Sequence, residues 1–125
     1  MKFLLDVNAL LACEHPGSPH HNAFHVWVSR VGRSNLASCA LVELGFLRVS
    51  LHVFGYSLAQ GHDALTVLKK ALGGFVSEAP PPRLPSWADT PARTTDGYLV
   101  QLAKSAGLEL ATFDRGIRGA VLIAG

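Results

Sequence analysis

Asp6, Glu43, Asp96 and Asp114 are the residues of this sequence whose types and placing point most directly to chemistry. Taken singly, three of them have ordinary explanations. Asp6 can cap a following helix, Asp96 can sit in the favourable field of a helix N-terminus, and Asp114, before Arg115 and Gly116, can close a turn. Glu43 resists such an explanation. Its neighbours Leu41, Val42, Leu44, Phe46, Leu47 and Val49 leave it almost no polar helix face, and no cation stands three or four residues away. Arg48, five residues on, points elsewhere on the helix. A carboxylate in that setting needs a partner from another element. A divalent cation would satisfy all four acids at once, and oxygen-only donors select magnesium or manganese. Without the ion, converging carboxylates repel one another and some hold their protons near neutral pH.

Strands alternating with helices supply the frame that can gather these groups, a mostly parallel sheet with helices on both faces. In residues 94–116, Leu99, Leu102, Ala103 and Ala106 recur at helical spacing; Thr94 and Thr95 are expected to cap the start, Asp96 to open the helix, and Gly107 to end it. Residues 108–112 then read as a buried strand whose carboxyl end, the ligand-binding edge of open α/β sheets, delivers Asp114. Residues 2–5 form a first strand, central in its sheet, with Asp6 at its end. Helical segments are expected over 8–13 and over 20–30, the second lined by Ala23, Phe24, Trp27 and Val28. A strand over 35–37 leads to Ser38 as the cap of an apolar helix over 39–50. The helix expected over 58–72 turns Ala64, Leu65, Leu68 and Leu72 inward and Lys69 and Lys70 outward, and Gly73 and Gly74 end it. Phe75 and Val76 begin a short strand, the proline-rich run 79–91 is loop, and VLIA at 121–124 is the last strand.

The 125 residues are read as one domain spanning 1–125. A hydrophobic share of 49% against 16% charged excludes a disordered chain. The net charge of +2 permits nucleic-acid contact without requiring it. Cys13 and Cys39 form no metal or redox motif and suit a reducing compartment, so the cytoplasm is expected. The start imitates a secretory signal, but Asp6 and Asn8 interrupt its apolar run, and no segment is long enough for a membrane span. His21 and His25 have the spacing of a zinc pair and His20 adjoins them, yet the HExxH glutamate and a third ligand are missing, so structural or surface histidines are expected. Phe24 and Trp27 are expected in the core or a subunit contact.

The segments LLDVNALLA, ALVELGFLRV and TTDGYLVQLAKSAGLELATFDRGI resemble, in order and spacing, the acidic motifs of PIN-domain ribonucleases, and most closely the VapC-type toxins of type II toxin–antitoxin pairs. The resemblance runs over residues 1–123. It implies a three-layer α/β/α PIN-like fold with a central, mostly parallel sheet. It also implies that Asp6, Glu43, Asp96 and Asp114 are catalytic, metal-binding acids, with Asn8 and Thr112 orienting them. Arg48 matches an arginine common in the toxin branch. Some relatives carry a further acid just after the last aspartate; here Gly116 and Ile117 follow Arg115, which speaks against a fully ligated second metal.

The implied activity is Mg2+- or Mn2+-dependent hydrolysis of RNA phosphodiesters, leaving a 5′-phosphate and a 3′-hydroxyl. Arg115, beside Asp114, is the arginine expected to contact RNA or antitoxin. The implied partners are an RNA substrate, a cognate antitoxin covering the site, and a second copy of the chain in a homodimer, with no membrane. The apolar helices around Leu44, Phe46 and Leu47, or around Phe24 and Trp27, are the expected binding faces. Two alternatives stay open: a housekeeping PIN nuclease without an antitoxin, and a non-enzymatic metal-binding interaction domain. An aspartate-based phosphatase is disfavoured because Asn8 stands where its second acid is required, and no glycine-rich phosphate loop or nucleophile elbow is present.

Overall fold

Strands β1 (Phe3–Leu5) and β2 (Leu36–Cys39) are buried along their whole length, which a strand tolerates only when both faces of its sheet are covered. The computed structural model describes residues 1–123. The sheet is completed by β3 (Gly74–Val76), β4 (Glu109–Thr112) and β5 (Val121–Leu122) in the order β3-β2-β1-β4-β5, with every pairing parallel and β1 central as expected. Ala124, the end of the expected last strand, lies outside the described residues. Helix α1 (Val7–Glu14) packs against both α2 (His21–Val31) and α3 (Ala40–His52), α4 (Leu58–Lys70) packs on α3 and α1, and α5 (Pro91–Ser105) packs on β4. The result is a three-layer α/β/α fold of PIN type. Among the described residues no helix is long and apolar enough to cross a membrane.

Three boundaries differ from the sequence reading in ways that bear on function. Helix α5 begins at Pro91, not near Asp96, because a proline fits the first helical position, where no N–H is needed. Asp96 therefore lies more than a turn inside the helix, and the N-terminal field does not account for it. Ser38 belongs to β2, and Cys39 takes the N-cap of α3 without a side-chain cap. Helix α4 stops at Lys70, and Gly74 already belongs to β3. The end of α5 is as read: Gly107 has φ +74°, and Leu108 N–H bonds to Ala103 O while Gly107 N–H bonds to Lys104 O, the paired bonds of a Schellman motif. That turn aims the chain into β4.

Of the residues on the two proposed partner-binding faces, Phe46, Phe24 and Trp27 are consumed by the core. Phe46 and Phe24 are fully buried, and Trp27 packs edge-on against Phe3 at 5.2 Å. Leu44 remains 63% exposed and keeps the α3 face available. The histidines are structural, as expected. His21 Nδ1 lies 2.7 Å from Ala12 O and His25 Nε2 3.3 Å from Cys13 O, so both satisfy carbonyls left open at the end of α1. His20 stacks on Phe113 at 4.3 Å.

Candidate active site

β1 and β4 run side by side, and each ends in a segment carrying an aspartate. Asp6 follows β1 directly and is buried. One of its oxygens, Oδ1, accepts from Val7 N–H at 2.8 Å and caps α1; the other, Oδ2, accepts from the Thr112 hydroxyl at 2.8 Å. The capping explanation and the functional one thus hold for different oxygens of one carboxylate. Thr112, the last residue of β4, is itself fixed, accepting from Asn8 Nδ2 at 3.2 Å and from Asp114 N–H at 3.0 Å. Asn8 Oδ1 accepts from Phe113 N–H at 3.3 Å, which ties α1 to the segment after β4. Asp114 is exposed, with Oδ1 taking Gly116 N–H at 2.8 Å in a local turn.

Asp6, Asn8, Asp96 and Asp114 line one open cleft of about 370 Å³ at the carboxyl edge of the sheet, together with Val7, Leu11, Arg48, Thr95 and Leu99. Burial raises the pKa of Asp96, and the charges of Asp6 and Asp114 raise it further. Burial also raises that of Asp6, against the lowering bonds from Thr112 and Val7, with a smaller contribution from Asp114. Three carboxylates thus sense one another across a single space. Among the described residues, however, no three acidic, histidine or cysteine side chains are gathered closely enough to ligate one ion directly. A larger groove of about 620 Å³, bordered by Met1, Phe75, Pro80 and Ala106, has Glu78 as its one acidic lining residue and gathers no such group.

Glu43 is not brought to this cleft. Its carboxylate accepts from the Ser38 hydroxyl and pairs with Lys69 Nζ of α4 at 3.3 Å. The sequence reading required a partner from another element, and Lys69, read as outward-facing, supplies one together with Ser38. Helix phase is the reason. Leu41, Gly45 and Arg48 border the recess beside the cleft, and at 100° per residue Glu43 projects roughly 160° away from Gly45. The same arithmetic places Arg48 at the acids, a position the sequence alone left without a role. Arg115 is exposed and does not line the cleft.

A search of protein-family models returns no match. Individual relatives decide the question. The chain is 36% identical over 122 residues to Ribonuclease VapC38 of Mycobacterium tuberculosis, covering 91% of this chain and 86% of that one. It is 31% identical over 127 residues to Ribonuclease VapC39 of the same organism, covering 91% and 89%. The chain belongs to the VapC ribonuclease family. Its fold matches the crystal structure of PAE2754 from Pyrobaculum aerophilum with a TM-score of 0.61 over 98% of this chain and 90% of that one, at 21% identity. That likeness speaks for the α/β/α frame alone, while the acidic cleft is read from this chain's own residues.

Proposed function

We propose that this VapC-family protein is the toxin of a toxin–antitoxin pair and acts as a metal-dependent endoribonuclease, with its active site in the Asp6–Asp96–Asp114 cleft. The observation that carries the reading is the presence of three carboxylates facing one space at the carboxyl edge of β1 and β4. Hard oxygen donors and accumulated negative charge suit Mg2+ or Mn2+. Because magnesium keeps several of its waters, carboxylates that stand somewhat apart remain compatible with it, one or two ligating directly and the rest through water. When bound, such an ion supplies an activated water and offsets charge developing on the phosphate.

The chain's own residues do the positioning. Thr112 and Asn8 hold Asp6 in one orientation through the bonds described above, leaving Oδ2 toward β4. Asp96 comes from a different element, so α5 and the sheet edge must keep their packing for the three acids to face one another. Glu43 contributes indirectly, by tying α3 to α4 and β2. The antitoxin is proposed to cover the cleft, and the exposed α3 face at Leu41 and Leu44 is proposed for the antitoxin or a second copy.

The test is incubation of the purified chain with total cellular RNA and manganese or magnesium, beside a chelated control, with the ends of the products mapped. Discrete fragments bearing 5′-phosphates, formed only with metal, are expected. Intact RNA in the presence of folded protein and metal contradicts the proposal.

A further inference from the structure

The cleft that holds three carboxylates also holds a guanidinium. Arg48 lines it beside Asp6, Asn8, Asp96 and Asp114, and its side chain is exposed. Among the described residues it makes no ion pair with any of those acids. A long, flexible cation next to such a cluster would be drawn onto a carboxylate if the backbone let it reach one. Its place is set by packing. A Cβ on Gly45 would come within 2.6 Å of Val7 Cγ2, so the glycine lets α3 lie directly against the first turn of α1. Arg48 follows on the same face of α3, three residues on, and lines the cleft with Asp6 and Asn8. Arg115 and Arg118, the arginines after β4, do not reach the cleft lining.

We propose that Arg48 binds the phosphodiester that is cut, its guanidinium donating to non-bridging oxygens while the carboxylates hold the metal. This rests on the nuclease reading above. Three acids repel a polyanion, and a fixed cation at the mouth of their cleft offsets that repulsion and orients the phosphate. As the attacking water's oxygen bonds to phosphorus and gives up a proton to solvent, the P–O3′ bond breaks and O3′ takes a proton from solvent to leave as a hydroxyl; charge accumulates meanwhile on the oxygens that Arg48 holds, so the contact strengthens in the transition state. The arginine stays protonated throughout and neither gives nor takes a proton. Its planar fork can hold two oxygens, which a lysine cannot reproduce.

Two measurements test this. The first compares wild type, Arg48→Gln and Arg48→Lys in manganese-dependent cleavage of total RNA, with Arg48→Gln expected to lose roughly a hundredfold in rate and Arg48→Lys to fall between. The second compares Asp96→Asn with Asp96→Asn/Arg48→Gln in binding a fluorescein-labelled single-stranded RNA of mixed sequence across a salt series. Loss of one phosphate contact is expected to weaken binding and to reduce the log–log salt slope by about 0.7. Arg48→Gln cleaving within twofold of wild type, or an unchanged salt slope, overturns the assignment. If no variant cleaves, wild type included, the nuclease reading fails, and the salt slope still decides whether Arg48 meets phosphate. Arg48 is exposed, so these variants are expected to fold, and circular dichroism checks it.

Discussion

Thr112 has one hydroxyl proton and gives it to Asp6, while its lone pairs take up Asn8 and the Asp114 backbone, so a single residue fixes the geometry of two strand ends. Glu43 has the opposite character, a buried acid whose needs are met away from the cleft. Lys69→Met is therefore expected to lower unfolding free energy by about 1–2 kcal/mol, since Glu43 is left with Ser38 alone; the exposure of Lys69 keeps the cost below that of a fully buried pair. Urea unfolding measures it, and an unchanged midpoint would show that the pair is unimportant. Asp96 yields a pH prediction. Its folded pKa is raised above 3.8, so the folded state disfavours the charged form: the penalty is absent below about pH 3.8 and complete above the folded pKa. In chelator at pH 7.5, Asp96→Asn is expected to melt higher than wild type, the difference vanishing toward pH 4. A variant less stable than wild type at pH 7.5 contradicts this.

The elements were legible where sequence period and punctuation agreed. The central N-terminal strand, the Gly107 stop and the strand leading to Asp114 follow from residues acting locally. What escaped was tertiary. Pro91 was read as loop punctuation although the same φ restriction suits a helix start, and Ser38 was read as a cap although its hydroxyl serves Glu43. His15, at the end of α1, gave no sequence signal, yet it is fully buried, stacked on Phe54 at 4.0 Å and 2.9 Å from Ser50 Oγ. The role of α3 depends on phase: the i, i+4, i+7 positions Leu41, Gly45 and Arg48 were visible, but which neighbour each side of the helix would meet was not. Gly45 sets the approach of α3 to α1. Gly45→Ala gains about 1 kcal/mol of helix propensity but must displace Val7, at a cost of about 1–3 kcal/mol, so net destabilisation is expected in thermal melts. Combining it with Val7→Ala is expected to recover less than the whole loss, and a more stable Gly45→Ala protein would contradict the close-approach argument.

For the whole molecule, the acidic cleft sits in a chain of net charge +2, so the cluster is a local feature and not an outcome of composition. The parallel sheet places the loops that follow β1 and β4 at one edge, and α5 supplies the third acid from outside the strands. Three of the four acids singled out by sequence line that cleft, and the fourth pairs with Lys69 of α4. Manganese titration followed by the electron paramagnetic resonance of the free ion tests this division most directly, using wild type, Asp96→Asn and Glu43→Gln. Wild type is expected to bind manganese, Asp96→Asn to lose at least about tenfold in affinity, and Glu43→Gln to stay within about threefold. Binding that is indifferent to Asp96, or abolished by Glu43→Gln in a protein that remains folded, would contradict the account.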